Sequence, residues 1–365
     1  MATKFKKAKS SKVGTIIFYS VYSVLVIIAI FCIMYLLKEL SLYLDSYERS
    51  LDKYEAEEIF EEYFSPCRFD KLYDMQKVEL SKFEDKNDFI AYMEKQYNGK
   101  EIIYKEVSAG LSDDKKYSVA ADKVKFAEFT LSKTNKPEAP EDTWQLLSLS
   151  TIYQKNESVA VKIYKGSKVF VNDIELTDSY ITSDNISTES CKHVPEGVTG
   201  IMMCEYEVDG LLLKPTIKVI NRYGNESKLV YNEKDNIYVE EITYDEPTKD
   251  IIKRATDAAQ TYAKYITLDA SLNNLSKYFD STSNTYRNIR VSEIKWYTAH
   301  IGYKFEDVEL KEYYKYDENT FSIRYSCNHQ VYRTKTDIHT FPLDLTLYFK
   351  NIKGDYYVYD MVSNY

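Results

Sequence analysis

Residues 321–331 read FSIRYSCNHQV. Phe321, Ile323, Tyr325, Cys327, His329 and Val331 fall on one face and Ser322, Arg324, Ser326, Asn328 and Gln330 on the other, the period of two that a half-buried strand requires. The next apolar stretch keeps that period through Phe341, Leu343, Leu345, Leu347 and Phe349, and Asp355 to Val362 follows a turn at Lys353-Gly354. Upstream the period changes. Ile252, Ala255, Ala259, Tyr262 and Ile266 make one helical face, Leu272 to Phe279 predicts a second helix and Ile289 to Tyr297 a third. Helices first and a four-strand meander after them make 247–365 an α+β domain with its own core.

The first third repeats that order. Ile59, Phe60, Tyr63 and Phe64 supply the buried side of an otherwise acidic helix, and Phe89, Ile90, Met93 and Tyr97 mark another at Lys86 to Tyr97. Strands are expected at Glu101 to Val107, Tyr117 to Leu131, Trp144 to Gln154 and Val159 to Tyr164, with an exposed connection at Thr134 to Asp142. This gives an α+β domain over 51–167. Between the two, 168–246 shows short strands and turns with no helical period and reads as a small all-β domain ending at Asp245-Glu246-Pro247.

Ahead of all this, Thr15 to Leu37 runs for 23 residues without a charge. As a helix it reaches roughly 34 Å, enough to cross a hydrocarbon core of about 30 Å. It is longer than the apolar segment of a cleaved signal peptide, and Leu36-Leu37-Lys38-Glu39 offers no small-residue cleavage pair. Lys4, Lys6, Lys7, Lys9 and Lys12 precede it with no acid, so the expected topology is a cytoplasmic tail at 1–14, a membrane span at 15–37, a stalk helix at 38–50 and everything else outside. Leu40, Leu44, Tyr47, Leu51 and Tyr54 continue a seam with spacings of four and three into that stalk.

The formal charge is −9, and because the tail holds five lysines the remainder carries about −14. Such a surface repels phosphate backbones, which argues against a nucleic-acid partner. Four of the five cysteines lie beyond the span, too few for a disulfide scaffold. Cys191 and Cys204 bracket a turn at Pro195-Glu196-Gly197 and are the candidate disulfide, with two reduced thiols as the equal alternative.

Catalytic signatures are lacking. S-x-x-K occurs at Ser50 to Lys53 and Ser112 to Lys115, but no K-T-G accompanies either. H-E-x-x-H, G-x-S-x-G, Walker A and G-x-G-x-x-G are all absent. The 36 tyrosines would suit stacking on sugar rings, yet most fall in expected strands, where tyrosine is a favoured residue. One cluster has chemical content. Cys327 and His329 share the buried face of their strand, His339 shares the corresponding face of the next, and a turn centred near Thr334 sets His329 across from His339. Thiolate and imidazole suit zinc or copper, but a closed site needs a fourth ligand that the sequence does not offer. The expectation is that Cys327, His329 and His339 line an apolar pocket, with no metal and no cofactor.

Three helices against a curved four-strand sheet resemble the NTF2-like cone fold. More narrowly, LNNLSKYFDSTSNTYRNIRVSEI at Leu272 to Ile294, with GDYYVYDMV at Gly354 to Val362, resembles the C-terminal domain of TcaA/YvbJ-type envelope proteins of Gram-positive bacteria. KVFVNDIEL at Lys168 to Leu176 resembles the strand and turn of the small β modules in those proteins, with Asp173 in place of the usual glycine. The resemblance implies NTF2-like α+β domains flanking a β module, anchored by one transmembrane helix in the cell membrane. It further implies a non-enzymatic ectodomain that contacts peptidoglycan or another envelope protein. The competing expectations are a structural subunit of a secretion or conjugation channel, or an NTF2-like enzyme.

Overall fold

The computed structural model describes residues 12–108, 110, 112–134, 143–292 and 299–364. The chain is mixed α+β and divides into two units, 1–155 and 156–365.

The first unit opens with α1 (Lys12–Arg49), a single unbroken helix of 38 residues, so the expected span and the expected stalk form one helix. Its apolar side chains are exposed from end to end, and among the described residues it is the one helix long and apolar enough to cross a membrane. The chain breaks at Ser50 and Leu51 before α2 (Asp52–Tyr63), α3 (Phe69–Met75) and α4 (Lys86–Tyr97). The start of α4 is set by a reciprocal cap. Asp85 accepts from the backbone N–H of Asn87 and Asp88, and the Asp88 carboxylate accepts from the Asp85 N–H, which satisfies donors that a helix otherwise leaves open.

A four-stranded antiparallel meander follows: β1 (Ile102–Val107), β2 (Lys115–Ala121), β3 (Val124–Lys133) and β4 (Trp144–Thr151). The single strand expected over Tyr117 to Leu131 is therefore two strands. They are joined by Asp122 (φ 47°) and Lys123 (φ 72°), a left-handed pair that closes a tight hairpin. Most of the loop expected at Thr134 to Asp142 lies outside the described residues. Phe64, Phe126, Phe129 and Leu131 are fully buried between helices and sheet.

The second unit begins one strand earlier than expected. Strand β5 (Glu157–Tyr164) belongs with the all-β part, because it pairs antiparallel with β9 (Met202–Leu211) and parallel with β12 (Ile237–Glu240). The boundary placed at 167/168 therefore moves to 155/156. Around these strands lie β6 (Lys168–Val171), β7 (Ile174–Glu175), β8 (Ile181–Ser187), β10 (Ile217–Ile220) and β11 (Leu229–Asn232). They form a five-stranded sheet, β11-β12-β5-β9-β8, and a three-stranded one, β10-β6-β7. The turn expected at Asn172-Asp173 is present, both residues being left-handed, and Asn172 holds it by accepting from the Thr216 N–H at 2.9 Å. A buried carboxylate ties this module together. Glu240, 3% exposed, accepts from the Tyr164 N–H and from the hydroxyls of Ser167 and Ser227.

The remaining elements are α5 (Lys249–Ile266), α6 (Leu272–Leu275), α7 (Asn284–Val291) and the meander β13 (Gly302–Lys315), β14 (Thr320–Tyr332), β15 (Ile338–Ile352) and β16 (Asp355–Ser363). The second helix is one turn long where eight residues were expected, and the third starts earlier, at Asn284; 293–297 of its expected range lie outside the described residues. On α5 the buried side is Ala255, Ala258, Ala259 and Ala263. Ile251 packs on the core in place of the expected Ile252, which is 38% exposed. All six odd-numbered side chains from Phe321 to Val331 are buried, as the alternation requires. Strand β13 carries two register shifts, with Asp307 (φ 53°) and Glu312 (φ 57°) in left-handed conformation, and such bulges bend a strand and increase its twist.

The outer face of this sheet meets the β module through two polar clamps. The Arg222 guanidinium lies between the rings of Tyr223 and Tyr314, 4.7 and 4.3 Å from their centroids, and pairs with Asp245 at 3.1 Å. Asp245 in turn accepts from the Lys315 N–H. In the second clamp His193 stacks on Tyr348 and its Nδ1 lies 2.8 Å from the Asp360 carboxylate. The domain drawn at 247–365 therefore has one sheet face covered by residues that precede it.

Candidate functional site

Helix α5 crosses the inner face of β14 to β16, and the small side chain of Ala263 leaves room beneath it. A cavity of about 240 Å³ remains, walled by Tyr262, Ala263 and Ile266 from α5 and Thr267 just past its end, His329 from β14, Phe341 to Leu343 and Leu345 from β15, and Met361 and Ser363 from β16. Pro342 and Ser363 are exposed, so the cavity reaches the surface.

His329 is the polar group set into this wall. It is 3% exposed, its ring stacks on Phe305 with centroids 4.5 Å apart, and Tyr303 presents an edge to it. Its Nε2 is buried without a hydrogen-bond partner. Burial pushes its pKa down to about 4, the charges of His300 and Lys264 act in the same direction, and the Asp269 carboxylate opposes them. The imidazole is therefore neutral at physiological pH.

The other two expected pocket residues are elsewhere. Cys327 is 5% exposed within the core but is not part of the cavity wall, and burial raises its pKa so that it stays a thiol. His339 does not pair with His329. The β14–β15 hairpin turns about residue 335, one position later than expected, which sets His329 opposite Phe341 and Val331 opposite His339. Moving a hairpin's centre by one residue moves each pairing by two, so the face is kept and the partner is lost. The His339 side chain is 45% exposed and lies 3.5 Å from Asp337. Among the described residues no group of three or more His, Cys, Asp and Glu side chains is placed to hold a metal ion.

The residues that do act on His329 were not legible in sequence. His300 Nε2 lies 2.9 and 3.0 Å from the two oxygens of Asp269, and the Thr267 hydroxyl donates to the same carboxylate at 2.6 Å. Thirty-one positions separate Asp269 from His300, and no periodicity spans such a gap.

Cys191 and Cys204 are both free thiols in the structure. The turn between them returns the chain so that Cys191 Sγ lies 3.3 Å from the Ile201 carbonyl oxygen, while Cys204 is buried further along β9, opposite Ile163. An S-D-N triplet occurs at Ser183 to Asn185 on β8, where Asp184 is paired with Lys165. The first unit has a larger but more open depression of about 340 Å³ beside Phe60, Cys67 and Tyr97. Burial there pushes the Cys67 thiol up to about 11, so it is not a ready nucleophile.

No known family model matches the chain, and no curated protein matches it. Among solved structures, one described as an NTF2-like protein involved in plasmid conjugation aligns with 77% of this chain and 90% of its own, at 11% identity and a TM-score of 0.23. A likeness at that score is too loose to transfer an activity.

Proposed function

We propose that this is a single-pass protein of the cell envelope, N-terminus inside, whose outward domains bind or scaffold and do not catalyse. The observation that carries this reading is α1, whose uncharged stretch is exposed along its length and follows five lysines. At about 1.5 Å per residue the 12 residues from Lys38 to Arg49 carry the helix roughly 18 Å past the hydrocarbon core. The two outward α+β domains are NTF2-like cones. Their common order, three helices and then a four-strand antiparallel meander, supports this assignment.

A binding role fits the chemistry of the C-terminal cavity. General acid–base catalysis needs groups that exchange protons near the working pH, and among the described residues the one titratable imidazole in this wall is held neutral with no carboxylate beside it in the lining. The partner is peptidoglycan or another envelope protein.

The test is topology. In a chain whose native cysteines are replaced by alanine, an impermeant thiol reagent on whole cells is expected to label Ser112→Cys and spare Ser10→Cys. The reverse pattern overturns the reading. Co-sedimentation of the purified protein with cell-wall sacculi then separates peptidoglycan from a protein partner.

A further inference from the structure

We propose that the cavity under α5 is a binding site for a small uncharged molecule that carries one hydroxyl group on an apolar body, the hydroxyl pairing with Nε2 of His329. This deepens the binding role proposed above and rests on it.

Three observations define the ligand. The first is the unpaired nitrogen: a polar atom buried without a partner is destabilising, and because Nε2 is closed off in the structure a ligand hydroxyl reaches it with a small shift of the cavity wall, which the new hydrogen bond offsets. A neutral imidazole nitrogen either donates or accepts according to tautomer, and a hydroxyl does both, so the match holds for either form. The second is charge. Among the described residues no Asp, Glu, Lys or Arg side chain lines the cavity, so a carboxylate or an ammonium ion would enter without a counter-charge from that wall and lose its hydration. The third is size. An engineered apolar cavity of about 150 Å³ holds benzene, so 240 Å³ accommodates one ring with a short substituent. The Thr267 hydroxyl does not compete for the ligand, because it is committed to Asp269 and to carbonyls of its own helix.

The full chain in lipid nanodiscs is titrated calorimetrically with 4-ethylphenol, ethylbenzene and 4-ethylbenzoate, each corrected against empty nanodiscs. The expected order is 4-ethylphenol tighter than ethylbenzene by roughly 3–10-fold, the reach of one hydrogen bond, with no uptake of the anion. His329→Phe keeps an aromatic ring against Phe305 and is expected to erase the preference for the phenol. Ser363→Trp, a change at an exposed rim position, is expected to block both neutral probes with unchanged melting. Equal binding of phenol and hydrocarbon overturns the proposal, as does a phenol preference that survives His329→Phe, or no binding of any probe, which would leave the cavity to water. None of these outcomes depends on which side of the membrane the domain occupies, so they are read independently of the thiol-labelling result.

Discussion

Replacing His329 by Phe should remove a pH dependence of stability that the structure assigns to this one side chain. The folded-state pKa is depressed to about 4 by burial, whereas the unfolded chain protonates near the ordinary 6.5. Between those values the unfolded state binds the extra proton, so stability is full above about pH 6.5 and is lost as pH falls towards 4. At 1.36 kcal/mol per pKa unit the loss is about 2 kcal/mol at pH 5 and levels off near 3 kcal/mol below pH 4. His329→Phe cannot take up that proton and also removes the unpaired Nε2, so at pH 7.5 it should be as stable as the native sequence or more so. The measurement is urea denaturation of the 156–365 unit, followed by far-ultraviolet circular dichroism from pH 7.5 to 4.5 on both proteins. Groups that do not interact with His329 contribute equally to the two curves and cancel in the difference. Parallel curves would refute the reasoning, as would a His329 ring that titrates near 6.5 by nitrogen chemical shift.

Two further outcomes follow from the β module. Arg222→Leu and Asp245→Asn should each lower the urea midpoint of the 156–365 unit. A double-mutant cycle should return a coupling of about 1 kcal/mol, modest because both side chains remain partly exposed; additive effects would mean the clamp is incidental. Glu240→Ala leaves the Tyr164 N–H and two serine hydroxyls without their acceptor and should cost about 3 kcal/mol, with Glu240→Gln milder; a neutral Glu240→Ala would show that water replaces the carboxylate.

The sequence alone determined whatever depends on a local period or a local exclusion. Thr15 to Leu37 has a composition that water does not tolerate as exposed surface, and it emerges as one helix with its side chains outward. The alternation from Phe321 to Val331 fixed which side chains enter the core, because pleating sends neighbours to opposite faces whatever lies across the strand. Left-handed turns were legible at Asn172-Asp173 and Lys353-Gly354 but not at Asp122-Lys123, which has neither the asparagine nor the glycine that marked the other two. Tertiary structure decided the rest. Whether β5 closes the first sheet or opens the β module depends on which distant strand it pairs with, and strand sequences of similar composition do not encode their partners. The hairpin centre at residue 335 kept His329 on its face but exchanged His339 for Phe341, and only the packed strands set that register. The cavity itself is a difference in volume between α5 and the sheet beneath it. A buried nitrogen with nothing to bond is a property of all the surrounding side chains at once, and no single stretch of the chain contains it.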